Sequence, residues 1–128
     1  MRLSKAFVFD AAHHLPGYQG ACRNVHGHTY HGLLTIEGEP FSDGFVMDFK
    51  ELNLIVRTWV SRLDHQDLNT MMENPTAESI AEWLAFNLKK DLANYNVRTS
   101  RGVRFYSVKL FESDDSLVEV FDEDISIS

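Results

Sequence analysis

The chain has little of several features that would decide its class at once. Its 128 residues include a single cysteine, so no disulfide can form within the chain, and its first residues lack the apolar run of a signal peptide. Both observations predict a protein of the reducing cytosol. No apolar stretch approaches the roughly 20 residues that a membrane-spanning helix needs. We therefore expect a cytoplasmic protein with no membrane partner.

Basic residues are also scarce. Twelve Lys and Arg stand against 19 Asp and Glu, which gives a formal net charge of −7. Because binding a phosphate backbone needs clustered positive charge, this balance argues against a nucleic-acid partner but leaves a small anionic substrate open. The sequence also lacks a Gly-rich dinucleotide fingerprint and an interdomain linker. With 44% hydrophobic residues, it predicts one domain over residues 1–128.

Hydrophobic periodicity divides the chain into six elements, since alternation predicts strands and amphipathic spacing predicts helices. The predicted strands span residues 3–13, 26–37, 103–112 and 117–122, and the predicted helices run from about 48 to 63 and from about 74 to 95. Asp48 with Glu51 has the spacing of a capping box, Pro75 suits a first helical turn, and the polar residues 96–102 predict a connection. The order ββααββ predicts an α+β fold, an antiparallel sheet with both helices on one face.

This arrangement leaves one sheet face and both sheet edges uncovered. Five phenylalanines at strand positions are more than one thin layer can bury: Phe7, Phe9, Phe105, Phe111 and Phe121. Uncovered edges and surplus apolar surface are typical of subunits that assemble. We therefore expect a homo-oligomer.

The motif His26-Gly27-His28 is the strongest chemical signal. Side chains two positions apart on a strand point to the same side, so both imidazoles could bind one ion, and Gly27 lets the backbone approach closely. A third imidazole, from His13 or His14, would complete the three-ligand set of an open, catalytic zinc site. Spacing alone leaves the choice between His13 and His14 open.

Cys22 lies four residues before His26 in a polar loop. Beside Arg23 and near a dication, its thiol would favour the reactive thiolate form. Two alternatives stay open from the residues alone. Cys22 could be a small buried hydrophobic residue, or it could be a fourth zinc ligand, which would make the site closed and purely structural.

Two acidic positions are weaker candidates. Asp64 beside His65 at a helix end offers an orienting carboxylate and a proton carrier, although a solvated histidine favoured by the helix C-terminus explains the pair equally well. Glu112 ends a strand whose Val108 and Leu110 are predicted to be buried, so its carboxylate could point inward. An exposed Glu at the strand end is the equal alternative.

Taken together, these segments resemble the 6-pyruvoyltetrahydropterin synthase superfamily. The resemblance covers nearly the whole chain and rests on six segments: Phe9-Asp10-Ala11-Ala12-His13-His14-Leu15, Cys22-Arg23-Asn24-Val25-His26-Gly27-His28, Asp48-Phe49, Leu63-Asp64-His65, Asn74-Pro75-Thr76-Ala77-Glu78 and Glu112. The Cys-x3-His-Gly-His spacing resembles the 6-carboxytetrahydropterin synthase branch of queuosine biosynthesis.

The resemblance implies a tunnelling fold, in which ββααββ subunits form a trimeric barrel and two trimers stack as a hexamer. It also implies roles for the candidate residues. Zn²⁺ would be held by His13, His26 and His28. The catalytic residues would be Cys22, Asp64 and His65, with Cys22 as acid or base and the other two completing a proton relay. The residues that bind the pterin would be Glu112 and Thr76.

The implied substrate is 7,8-dihydroneopterin triphosphate. A zinc-dependent lyase of this kind converts it to 6-carboxy-5,6,7,8-tetrahydropterin and releases acetaldehyde and triphosphate, with no nicotinamide or flavin. The alternative enzyme is a 6-pyruvoyltetrahydropterin synthase, which eliminates triphosphate but retains the side-chain carbons. The alternative from a different class is a non-catalytic, zinc-stabilised pterin-binding module.

Overall fold

The computed structural model describes residues 1–125 and has a five-stranded sheet packed against two helices. In chain order the elements are β1 (Arg2–His13), β2 (His26–Glu37), α1 (Phe49–Leu63), β3 (Gln66–Asp67), α2 (Ala77–Thr99), β4 (Arg104–Ser113) and β5 (Ser116–Phe121). Short 3-10 turns occupy Ala21–Arg23, Leu68–Thr70 and Asp122–Asp124. The predicted α+β class is confirmed, and the six long elements follow the predicted order ββααββ, with the two-residue β3 added between the helices.

The sheet has the strand order β3-β1-β2-β4-β5. The four long strands pair antiparallel, as predicted, whereas β3 pairs parallel with β1 through Ala11 and Ala12 at the sheet edge. Sequence periodicity could not reveal β3, because alternation is not visible in two residues.

Both helices cover the same face of the sheet. On β1 the odd-numbered side chains from Phe7 to His13 are buried, and on β2 the even-numbered ones from Tyr30 to Ile36 are buried. Helix α1 packs on β1, and α2 packs on β4 and β5. The core therefore lies between the helices and one side of the sheet, as the alternation predicts.

The start of α1 agrees with the sequence. Asp48 is the N-cap, and its carboxylate accepts a hydrogen bond from the backbone N–H of Lys50 at 2.8 Å. The capping box expected from Glu51 is not formed. The Glu51 carboxylate instead lies 3.7 Å from the guanidinium of Arg98 on α2, so this side chain links the two helices.

Helix α2 differs from the prediction at its start. Thr76 is the N-cap, and its hydroxyl accepts a hydrogen bond from the backbone N–H of Ser79 at 3.2 Å. Pro75 therefore precedes the helix and does not occupy its first turn, which leaves the Pro75 carbonyl free to accept from a side chain elsewhere.

The predicted end of α2 was also wrong, because the helix continues past Tyr95 to Thr99. The side chain of Asn96 explains the extension. It donates to the carbonyl of Val103 at 2.6 Å and accepts from the N–H of Val103 at 3.0 Å, so a polar side chain stabilises the last turn. Ser100 then ends the helix in the left-handed conformation, with φ of 60°.

Three of the five phenylalanines singled out above, Phe7, Phe9 and Phe105, are buried, and the other two are half-buried. Phe7 lies directly opposite Gly32 in the β1–β2 register. A Cβ atom at Gly32 would lie 2.2 Å from the Phe7 ring, so a side chain at this position would collide with it. In the described part of the chain, no helix is long and apolar enough to cross a bilayer.

Candidate metal centre

Three histidines converge at the end of the hairpin formed by β1 and β2. His13 lies opposite His26 in the antiparallel register, and His28 follows two residues later on the same face. One ring nitrogen of each lies within 4.8 Å of the others, and the Nε2 atoms of His13 and His26 are 3.1 Å apart. We call this group the histidine cluster. Of the two candidates for its third member, the structure brings in His13 and not His14.

Backbone carbonyls orient two rings of the histidine cluster. The Nδ1 atom of His13 lies 2.7 Å from the carbonyl oxygen of Pro75, and that of His26 lies 2.7 Å from the carbonyl oxygen of Asn24. Because a carbonyl only accepts, each Nδ1 carries the proton and each Nε2 turns a lone pair toward the cluster. Metal-bound imidazoles usually donate their other ring N–H to a carbonyl or carboxylate in this way, which fixes the orientation of the ring.

The third ring, His28, has a buried Nε2 with no hydrogen-bond partner among residues 1–125. Burial lowers the pKa of His28, and His13 and His26 lower it further against the opposing charge of Glu112. The neutral, metal-binding form is therefore favoured near neutral pH. Three neutral imidazoles facing one point, one of them otherwise unsatisfied, are a donor set that suits Zn²⁺.

Tyr30 lies behind the histidine cluster and is fully buried. Its ring centroid is 5.6 Å from that of His28 and 4.9 Å from that of Phe9. Burial raises the pKa of Tyr30, and the charge of Glu112 raises it further, so the hydroxyl keeps its proton. Sequence reasoning missed this residue because a tyrosine in a strand is normally part of the core. The sequence feature that could have identified Tyr30 is its position two residues after His28, which places both side chains on the same face of the strand.

Glu112 is the carboxylate beside the histidine cluster. Its Oε1 atom lies 4.0 Å from Nε2 of His28, and its side chain is one-third exposed. Thr76, the other predicted substrate-binding residue, lines a cleft of about 570 Å³ with Leu15 and Tyr18, and Glu112 is not part of that lining. The preceding residue, Pro75, contacts His13 of the histidine cluster through its carbonyl.

Cys22 lies in the 3-10 turn of the loop between β1 and β2 and is half-buried. The loop folds back as predicted, since the N–H of Leu15 donates to the carbonyl of Cys22 at 2.8 Å. The thiol is not among the ligand atoms that lie within 4.8 Å of one another in the histidine cluster. Three imidazoles without the thiol are the donor set of an open site, not of a closed structural one.

Asp64 and His65 form a second group with Asp10. The Nδ1 atom of His65 lies 3.0 Å from the Asp64 carboxylate, whose other oxygen accepts from the N–H of Asp10 at 3.0 Å. The N–H of His65 in turn donates to the carbonyl of Asp10 at 2.6 Å. The pair is thereby attached to the backbone of β1. The N–H of Asp10 is the main reason that the pKa of Asp64 is lowered.

The Asp64–His65 pair and the histidine cluster face opposite sides of the sheet. Asp10 and His13 have opposite parity on β1, and Asp10 is exposed where His13 is buried. The hydroxyl of Thr29, which also points outward on β2, donates to the Asp10 carboxylate. An open cleft of about 480 Å³ lies over this group, and its lining also includes His28. The ring nitrogens of His65 are not among those that converge in the histidine cluster.

Comparison with known proteins agrees with the fold and with these motifs. Residues 2–123 match the family model described as 6-pyruvoyl tetrahydropterin synthase. A similar curated protein is the dihydroneopterin monophosphate aldolase of Pyrococcus furiosus, 36% identical over 112 residues that cover 88% of this chain and 90% of the relative. Another is the 6-carboxy-5,6,7,8-tetrahydropterin synthase of Synechocystis sp., 37% identical over 94 residues that cover 67% of this chain and 73% of the relative.

Among solved structures, 6-pyruvoyl tetrahydropterin synthase of Caenorhabditis elegans superposes with a TM-score of 0.80 at 22% identity, covering 94% of both chains. This likeness confirms the tunnelling fold of the subunit. Because the family model spans nearly every element, from β1 to the turn after β5, the chain belongs to the 6-pyruvoyl tetrahydropterin synthase family.

Proposed function

We propose that the chain is a cytoplasmic, zinc-dependent lyase of the queuosine pathway. It converts 7,8-dihydroneopterin triphosphate and water into 6-carboxy-5,6,7,8-tetrahydropterin, acetaldehyde and triphosphate. The observation that carries the proposal is the convergence of His13, His26 and His28, with Nε2 of His28 buried and unpartnered among the described residues. Relatives of similar length that are named 6-carboxy-5,6,7,8-tetrahydropterin synthase support the same reaction.

The three imidazoles of the histidine cluster would hold zinc, whose Lewis acidity polarises the oxygens of the substrate side chain and acidifies neighbouring C–H and O–H groups. Cys22 removes or returns a proton on one side of that side chain, and Nε2 of His65 does so on the other. Asp64 holds Nδ1 of His65, so the other nitrogen of the ring is free for the exchange. The redox change stays within the substrate, and no nicotinamide or flavin takes part.

Glu112 binds the pterin by accepting hydrogen bonds from its guanidine-like edge. A hydrogen bond to a charged group contributes about 1.5 to 3 kcal/mol. The partial exposure of Glu112 beside His28 supports this role, because a ligand in the pocket can reach the carboxylate. Thr76 is the second proposed pterin-binding residue. It also caps α2, and the carbonyl of the adjacent Pro75 connects that segment to His13.

The proton relay needs a second copy of the chain. Since His65 and the histidine cluster face opposite sides of the sheet, the Asp64–His65 pair of one subunit serves the cluster of another. This requirement supports a homo-oligomer, and we propose the hexamer of two stacked trimers that the family resemblance implies.

A second candidate is retro-aldol cleavage of dihydroneopterin monophosphate. The observation that favours it is the 36% identity to the Pyrococcus furiosus protein named for that activity. The cleavage would break the bond between the first two side-chain carbons and leave a 6-hydroxymethyl pterin and glycolaldehyde phosphate. It needs the same polarised oxygen and the same kind of base. The Cys-x3-His-Gly-His spacing around Cys22 favours the 6-carboxy product.

Product analysis separates these candidates. The zinc-loaded protein is incubated with 7,8-dihydroneopterin triphosphate and, separately, with the monophosphate; pterins are resolved by mass and the released aldehyde is identified. We expect the 6-carboxy product and acetaldehyde from the triphosphate. Glycolaldehyde phosphate from the monophosphate would establish the aldolase, and a 6-pyruvoyl product would establish the biopterin-type reaction. If neither substrate is turned over at full zinc occupancy, the result would favour a non-catalytic pterin-binding module.

A further inference from the structure

Two polar groups beside the histidine cluster lack hydrogen-bond partners among residues 1–125. The hydroxyl of Tyr30 is completely buried and unsatisfied. The carboxylate of Glu112 lies 4.0 Å from Nε2 of His28, which is too long for a hydrogen bond. A buried polar group without a partner is rare in native proteins and calls for an explanation.

The sheet brings these two groups near each other. His31 pairs with Phe111 at the end of the paired stretch of β2 and β4, and Tyr30 and Glu112 are the next residues on their strands. The Glu112 carboxylate lies 4.0 Å from Nε2 of His28, and Tyr30 follows His28 by two residues on the same face of β2. Both side chains therefore lie on the helix-facing side of the sheet.

We propose that Tyr30 is a positioning residue of this site. In the zinc-loaded protein its hydroxyl donates a hydrogen bond to the Glu112 carboxylate and holds that carboxylate toward the pterin. The inference rests on the proposed function, in which Glu112 accepts hydrogen bonds from the pterin. The Glu112 side chain is one-third exposed, so it has room to rotate toward the hydroxyl. Once Nε2 of His28 binds a metal, the carboxylate gives up no hydrogen bond by turning away from it.

The surroundings of Tyr30 argue that its hydroxyl is there for a polar partner. The ring stacks on Phe9 at 4.9 Å, and Phe7 follows at 6.3 Å from Phe9. A phenylalanine at position 30 would fill the same apolar space without desolvating a hydroxyl. When the metal takes the nitrogen lone pairs of the histidine cluster, those nitrogens no longer accept hydrogen bonds, and the neighbouring acceptor for the hydroxyl is the Glu112 carboxylate.

A double-mutant cycle tests the inference in the zinc-loaded protein with Tyr30→Phe, Glu112→Ala and the double variant. Two quantities are measured: the free energy of unfolding in denaturant, and the affinity for neopterin from its fluorescence. We expect Tyr30→Phe to weaken neopterin binding about tenfold, the effect of one hydrogen bond to a charged group. In the Glu112→Ala background the same change should have almost no effect on binding, and the effects on unfolding should be non-additive.

Tyr106→Phe is the matched control, because Tyr106 is a half-buried tyrosine on β4 that packs on Phe121 and beneath Arg2, remote from the histidine cluster. It should leave neopterin affinity unchanged. Additive effects of Tyr30→Phe and Glu112→Ala on unfolding would overturn the inference, and so would a Tyr30→Phe variant with unchanged neopterin affinity. If the unaltered protein failed to bind neopterin, the proposed function would fall, while the unfolding cycle would still decide whether Tyr30 bonds to Glu112.

Discussion

The ring nitrogens of His13 and His26 owe their orientation to backbone atoms that no side-chain substitution removes. The carbonyl of Pro75 accepts from one ring and the carbonyl of Asn24 accepts from the other. Both lone pairs are thereby presented to the cluster before any ion binds, which lowers the reorganisation that binding requires. The position of the chain just before α2 thus decides the tautomer of a histidine 62 residues away in sequence.

Cys22→Ala tests whether the thiol acts on substrate or holds the metal. We expect the variant to keep one zinc per chain and to lose turnover, because the thiol lies outside the set of converging imidazole nitrogens. Zinc content by elemental analysis and product formation by mass spectrometry check both parts. His26→Ala is the contrasting variant and should lose zinc. A Cys22→Ala protein with reduced zinc would instead favour the closed structural site.

Acid unfolding should report the hydrogen bond between Asp10 and Asp64. The N–H of Asp10 holds the pKa of Asp64 below its usual value of 3.8. A carboxyl with a lowered pKa stabilises the folded state above the unfolded-state pKa, and this contribution is lost as the pH falls through the folded-state pKa. Stability should therefore fall below about pH 4.

We expect Asp64→Asn to show a shallower decline in the free energy of unfolding between about pH 5 and pH 2.5 than the unaltered protein. Asp114→Asn, in the exposed turn between β4 and β5, is the control and should follow the unaltered protein. Equal slopes for all three proteins would mean that the bond from Asp10 does not contribute to stability.

Spacing predicted the part of the site that lies on one strand. His26 and His28 share a face because strand side chains alternate, so their convergence could be read directly from the sequence. The choice of His13 over His14 depends on which face of β1 packs against the helices, and the residues alone left it open. Tyr30 and the separation of His65 from the cluster depend on sheet register and on chain reversal after α1, which local pattern does not contain.

At the scale of elements, the N-terminus of α2 both stabilises the helix and orients one histidine of the cluster. Thr76 caps the helix through its hydroxyl, and the adjacent Pro75 orients His13. We expect Thr76→Ala to lower the free energy of unfolding by about 1 kcal/mol, the usual cost of losing an N-cap side chain. Thr76→Ser keeps the hydroxyl and should retain most of the stability. Denaturant unfolding of the three proteins measures both differences.

The same variants address the substrate-binding role that the family resemblance implies for Thr76. If Thr76 acts only as a cap, KM for the pterin substrate should change little in Thr76→Ala at temperatures where the variant is fully folded. A large rise in KM without loss of stability would support a direct role of Thr76 in pterin binding.

Element boundaries show where sequence patterns were sufficient. The start of α1 was predicted correctly because Asp48 has an ordinary capping role. The end of α2 was not, because the polar side chain of Asn96 indicated a connecting loop. That side chain instead satisfies both backbone groups of Val103, seven positions further along the chain. Propensity treats each residue alone, whereas this helix end depends on a contact formed only after the chain has turned back.

At the scale of the whole molecule, we propose that different subunits supply Cys22 and the Asp64–His65 pair of one site, because that pair and the histidine cluster face opposite sides of the sheet. Mixing two inactive variants, Cys22→Ala and His65→Ala, therefore tests the arrangement. After joint refolding, sites that combine an intact thiol from one subunit with an intact Asp64–His65 pair from another should recover activity. Random assembly in equal amounts yields about one quarter of such sites.

Each variant refolded alone should remain inactive, and the zinc content of both should be normal. Activity of the mixture no higher than that of the separate variants would contradict the proposal that subunits share the site. Sedimentation of the unaltered protein as a monomer at micromolar concentration would contradict it independently.

The pairing of Phe7 with Gly32 has a consequence at the other end of the hairpin. The same ladder that sets Phe7 opposite Gly32 sets His13 opposite His26, six residues further along β1. A shift of β1 by one residue would turn His13 outward and Asp10 inward, exchanging an imidazole for a carboxylate on each face. Because the Phe7 ring leaves room only for glycine at position 32, this contact fixes the register of the β1–β2 hairpin. A register error there would place the wrong side chains on both faces of the sheet.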